Sequence, residues 1–281
     1  MQSLSSKRWS GWLVSQRELR LMLALLALLV LLLVAGSVLP RLSNGAVVLV
    51  WGMLWLPLLG LLFWRRRLAR RAWLRVHFRD ASPWSTRLRG GILMLLGQAL
   101  LAAVFALALL LSLARGIAPS VWIVLTLSVP LWSKVWTLAG RLLQRHVSAE
   151  FLSLTAGRAV VWAFGVVLVL GLGMRGLWQP VPDLGEVTLY DTIRHYAAGQ
   201  EARSTVLEGL LTVSAALEGV RHWLAQHWFE GLPGLALQFV AWMVVLVREW
   251  LFVWPWLLLC AAVSHVVYRH EQRHEPGHSG P

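Results

Sequence analysis

Residues 21–40 read LMLALLALLVLLLVAGSVLP, twenty consecutive positions without a charged side chain. A helix of that length rises about 30 Å, the thickness of the hydrocarbon core of a bilayer. Lys7, Arg8, Arg17 and Arg20 precede the run, and Ala35-Gly36-Ser37 closes it in the manner of a secretory leader. The apolar stretch is long for a leader, however, and a second one starts at Ala46. The run therefore reads as an uncleaved first span.

Working outward, further runs of this kind cover residues 46–64, 91–114, 121–138 and 159–178. Pro130 is expected to kink the fourth. The last apolar stretch, residues 235–268, is too long for one upright crossing and is interrupted by Arg248-Glu249. Residues 233–249 are expected to form a helix at the membrane interface, followed by a sixth crossing over 250–268. One long tilted helix is the alternative. The whole chain supports a lipid solvent: of 281 residues 58% are hydrophobic and 14% charged, against about a quarter charged in an ordinary soluble domain. Its mean hydropathy is +0.64. The expected fold class is all-α, a polytopic transmembrane helix bundle of six spans with one helical extracytoplasmic loop.

The net charge is +13, and 24 of the 26 basic residues are Arg. In a soluble protein that surplus would point to nucleic acid. Here the positive-inside rule accounts for it, so nucleic acid is not an expected partner. Six crossings put the N-terminal segment (1–20), residues 65–89, residues 141–158 and the tail (269–281) on one side, and all four are basic. Residues 179–234 fall on the other side, and seven of the chain's thirteen acids lie among them. Both termini are therefore expected in the cytoplasm. Arg used almost to the exclusion of Lys resembles a GC-rich bacterium, and a bacterial inner membrane is the expected location.

Two segments carry the functional reading. In the outer loop, Thr205-x-x-Glu208 reads as a capping box, and Leu207, Leu210, Leu211, Leu217, Val220, Leu224 and Trp228 recur at spacings of three and four. That periodicity gives one apolar helix face. Leu207, Leu210, Leu217, Leu224 and Trp228 are its candidate docking residues, for a protein partner or a second copy, unless the face instead packs on the protein's own spans or the membrane surface. In the basic loop, Arg65, Arg66, Arg67, Arg70 and Arg71 are candidate contacts for anionic lipid headgroups.

Other matches carry less. Gly171-Leu172-Gly173-Met174-Arg175-Gly176 fits the dinucleotide string but lies at the end of a span, without the strand and crossover that chemistry needs. Small residues there, and Ala99, Ala102, Ala103 and Ala106 in the third span, suit close helix contact. His265, His270, His274 and His278 read as a solvated tail rather than a metal site. The single cysteine, Cys260, excludes an intrachain disulfide and a Cys-based zinc site. Trp51, Trp64, Trp122, Trp136, Trp162, Trp178 and Trp250 fall near span ends, where indoles favour the headgroup level. With no cofactor site and no nucleophile–base pair to assemble, the expected role is a non-enzymatic membrane subunit or scaffold of an envelope assembly. A channel or transporter is the alternative.

Overall fold

A computed structural model describes residues 16–77, 91–177, 187–229 and 235–274. Eight α-helices occur among them: α1 (Gln16–Val38), α2 (Asn44–His77), α3 (Ile92–Ala114), α4 (Pro119–Leu143), α5 (Ala149–Leu177), α6 (Leu189–Ala198), α7 (Thr205–Phe229) and α8 (Leu235–His274). Six of them are long and apolar enough to cross a membrane, over Gln16–Arg41, Asn44–Arg71, Ile92–Ala114, Pro119–Leu143, Phe151–Arg175 and Leu246–Tyr268. The protein is a multi-pass membrane protein with an all-helical polytopic bundle.

α8 is the hub. It packs on α5, α3, α1 and α2, and around it the neighbours run α2–α3–α1–α4–α5. Accordingly 61% of its crossing window is buried, against 22% for α1, α2 and α3, which turn most of their surface to lipid. α1 contributes one narrow stripe, Leu21, Leu25, Leu29 and Leu32. α5 approaches α8 through its glycines: a methyl group on Gly165 would touch the Trp254 ring at 3.4 Å, and one on Gly173 would overlap Leu246. Lipid tails are as apolar as leucine, so such close approach and polar contacts, not water exclusion, hold spans together. α2 and α3 show the second device. The Trp51 and Trp55 indoles of α2 donate to the Ala103 and Ala99 carbonyl oxygens of α3 at 3.3 and 3.0 Å.

The structure revises several expectations. Residues 235–268 are not an interfacial helix plus a span: α8 is one helix of 40 residues with no break at Arg248-Glu249. At 1.5 Å per residue it is about 60 Å long, twice the hydrocarbon thickness, so it extends well beyond the bilayer core. Next, the first part of the 65–89 loop is helix, because α2 continues to His77; residues 78–90 lie outside the described residues. The expected tail, 269–281, is shortened in the same way, since α8 runs on to His274. Finally, His265 is no tail residue. It is buried, with its ring 4.7 Å from Trp64 and 5.2 Å from Trp136. Of the tryptophans assigned to the headgroup level, Trp136 lies in the core beside Trp132, and Trp51 and Trp64 are half-buried against neighbouring helices. Trp178 lies outside the described residues.

Candidate functional site

One end of the bundle is covered by the helix pair α6–α7. Thr188 caps α6 by accepting from the Asp191 amide at 3.2 Å. Ser204, not the expected Thr205, caps α7: its hydroxyl accepts from the Leu207 amide at 3.2 Å and its carbonyl from the Glu208 amide at 2.8 Å. Ser204 serves that cap because it is also anchored, donating to Asn44 Oδ1 at the start of α2 at 2.5 Å. Beside it the Arg203 amide donates to the Pro40 carbonyl at 3.0 Å. The start of α7 is thus pinned to the α1–α2 turn.

The middle of α7 meets the α3–α4 turn. Gly116 makes that turn at φ 77°, a left-handed conformation that glycine adopts without steric cost, and Pro119 then opens α4. This geometry leaves Arg115, just past the end of the third span, facing α7. Arg115 Nη1 donates to Ser214 Oγ at 3.2 Å, and its Nη2 pairs with Glu218 Oε2. Glu218 Oε1 takes two more guanidiniums, Arg221 at 3.4 Å and Arg248 of α8. One carboxylate therefore gathers three arginines from three helices. The flank of α7 next to this cluster is closed by α6, where the Tyr196 ring stacks on His222 at 5.7 Å. There Gly219 is a close-contact position: a Cβ would lie 3.2 Å from the Thr192 carbonyl oxygen and from the Tyr196 ring.

Electrostatics follow from this crowding. Burial, and then the charges of Arg248 and Arg221, bring Arg115 down to about 10. Burial and then Arg248 bring Arg221 to about 10, although Glu249 and Tyr196 oppose the shift. Both stay protonated at neutral pH. His222 is driven to about 4 by burial first, then by Arg221, Arg248 and Arg115. Its imidazole is therefore neutral at pH 7, and its contact with Glu218 at 3.8 Å is no ion pair there. Neutral Nε2 accepts from Arg221 Nη2 at 3.1 Å, which puts the imidazole proton on Nδ1.

A pH dependence results. In the unfolded chain His222 titrates near 6.5. Between that value and about 4 the unfolded state binds a proton that the folded state refuses, so stability falls as pH falls through this window and is fully present above it. Thermal melts of the detergent-solubilised protein are expected to drop from pH 7 to pH 5. His222→Gln should flatten that slope; an unchanged slope in the variant would assign it to other groups.

The docking residues expected from sequence do not share one face. Leu207 is buried with Leu211 and Ala215 on the face toward the spans and α6. Leu217 is 66% exposed, and Leu210 and Leu224 are half-buried; the Trp228 side chain lies outside the described ones. The outward residues form their own stripe: Val206, Leu210, Val213, Leu217, Val220 and Leu224, spaced four, three, four, three and four, with Val213 60% exposed. Gly209 and Ala216 lie beside them, and no charged residue falls on that arc. Sequence reading thus merged two apolar faces. The charged side of α7 is also marked in the sequence: Glu218, Arg221 and His222 share one side of the helix at three- and four-residue spacing. The candidate lipid contacts Arg65, Arg66, Arg67, Arg70 and Arg71 all lie on α2, with Arg66 and Arg67 exposed and the others half-buried, distributed around the helix rather than gathered on one side. Among the described residues no group of three or more His, Cys, Asp or Glu is placed to hold a metal ion. No family model, curated protein or solved structure matches this chain.

Proposed function

We propose that this protein is a non-enzymatic membrane subunit or scaffold of a larger envelope assembly, of the secretion, conjugation or biogenesis type, in a bacterial inner membrane. In this reading both termini face the cytoplasm, α6 and α7 lie on the periplasmic side, and a protein partner docks on α7. The observation that carries it is the outward stripe of α7. The opposite face of that helix is held by Glu218 and Ser204, so the stripe is presented on a rigid support. Pre-organised apolar surface of this kind binds without the cost of ordering a loop. The arginines on α2, Arg65 to Arg71, meet anionic lipid on the cytoplasmic side.

Burying a leucine is worth about 1.5–3 kcal/mol. Replacing Leu210, Leu217 and Leu224 together by Ser is therefore expected to weaken partner binding roughly a hundredfold or more, while insertion and melting temperature stay near those of the parent. A photo-crosslinker at Leu217 should give one discrete protein adduct in cells, identified by mass spectrometry and absent from a Leu210→Ser, Leu224→Ser background. Adducts to lipid alone would remove the support for a docking role.

Orientation has its own check. With Cys260 changed to Ser, a cysteine at Gln200 should react with a membrane-impermeant maleimide in spheroplasts and a cysteine at Ser82 should not. The reverse pattern would invert the topology.

A further inference from the structure

The basic cluster beneath α7 holds more donors and more charge than its partners use. Three guanidiniums carry fifteen N–H donors. Among the described residues Arg115 is drawn to Ser214 and Glu218, Arg221 to Glu218 and His222, and Arg248 to Glu218 alone. Arg221 Nε is fully enclosed and has no hydrogen-bond partner. A buried donor left unmade is costly, more so on a charged group. The charges do not balance either. Against three arginines stand Glu218, in contact, and Glu249, which acts on Arg221 at a distance. At least one positive charge is left over where Glu218 is 11% and Arg221 16% exposed.

The cluster also has a definite depth. Arg115 follows the last residue of the third span, and Arg248 is the third residue of the sixth. Both therefore lie at an end of an apolar crossing segment, where lipid headgroups are expected to meet the protein. The Arg248 side chain, 47% exposed, forms the open rim.

We propose that Arg115, Arg221 and Arg248 form a receptor for one phosphate group, with Glu218 as the brace that holds the three guanidiniums together. A phosphate offers several acceptor oxygens and one to two negative charges, which match the surplus donors and charge, and guanidinium forks meet it in bidentate fashion. A carboxylate offers fewer acceptors for three forks. The same chemistry is supplied by a phospholipid headgroup or by free phosphate. The site lies on the buried side of α7 and stands apart from the partner reading, which concerns the outward face.

The test is ligand-induced thermal stabilisation of the full-length, delipidated protein in a chloride buffer. It is titrated with dioctanoyl phosphatidylglycerol or with inorganic phosphate, and sodium chloride of equal ionic strength serves as the blank. Saturable stabilisation by the short-chain lipid but not by inorganic phosphate identifies a headgroup site, and saturation by both identifies a site that takes phosphate itself. In either case Arg248→Gln and Arg221→Gln should each weaken the response at least tenfold, and Arg248→Lys should restore part of it. Arg175→Gln, in the last turn of α5 and outside the cluster, should leave it unchanged. Arg248 is at the rim, so its variant is expected to melt like the parent without ligand and remains readable should Arg221→Gln fold poorly. Absence of saturable stabilisation by either probe, or a response that Arg248→Gln leaves intact, overturns the proposal.

Discussion

Glu218→Ala is expected to lower the stability of the α6–α7 cap by about 3 kcal/mol, the low end of what removing one partner of a buried ionic network costs. The low end applies because the cluster is only partly buried, with Glu218 11% and Arg115 20% exposed. The loss is not chiefly the attraction forgone. Three arginines are left facing one another in a partly buried cluster without the carboxylate that took all of them. Limited proteolysis should then cut the segment between α6 and α7, near Glu201 and Arg203, while the six crossings stay protected. Adding Arg248→Ala should return part of the loss, because it removes one of the repelling charges; the coupling between the two changes reports the network directly. A Glu218→Ala protein that melts and digests like the parent would mean that Ser204, Asn44 and the leucines hold α7 by themselves.

Trp132→Ala is expected to cost about 3–5 kcal/mol, the range for deleting a large aromatic side chain from a core. Trp132 is 2% exposed and stands where three spans meet. Its ring lies 5.7 Å from Trp136 on its own helix and 5.2 Å from Phe164 on α5. Its Nε1 donates at 3.1 Å to Ser264 Oγ on α8, and that hydroxyl donates on to the Cys260 carbonyl at 2.7 Å. Within a bilayer the loss is one of dispersion contacts and of a hydrogen bond, since neighbouring lipid solvates apolar groups as well as protein does. Trp132→Phe keeps most of the ring contact and forfeits the donor, so it should cost about 1 kcal/mol. Circular dichroism during a denaturing-detergent titration separates the two. Equal losses in both variants would place the whole effect in the hydrogen bond and none in the packing.

What the sequence determined alone is the solvent and the number of crossings. Hydrocarbon of about 30 Å imposes a run of about twenty apolar residues whatever the neighbours are. The six runs read from sequence accordingly recur as helices, with ends shifted by a few residues to either side. Most of those shifts run outward, as at His77 and His274, because a helix need not stop where the apolar run does. The charge signal at Arg248-Glu249 misled for a related reason. Two charged residues next to a span read as a break while their partners are unknown, and here Glu218 receives Arg248, so α8 runs straight through.

Tertiary structure alone decided which apolar face meets which neighbour. In water a helix marks its buried side by being apolar there and polar elsewhere. In a membrane the lipid-facing and helix-facing sides are equally apolar, so periodicity could not identify α8 as the hub, nor Trp132, Trp136 and His265 as one buried group. The same ambiguity merged the two faces of α7, because leucines on the spans' side and on the outward side both satisfy a three–four spacing. The arginine cluster was hidden for a different reason. Its members come from the end of α3, the middle of α7 and the first turns of the sixth span, and Arg115 meets Ser214 across 99 positions of sequence. Only the folding of the loop back over the bundle brings them to one carboxylate, and that depends on the left-handed turn at Gly116 and the tether of Ser204 to Asn44.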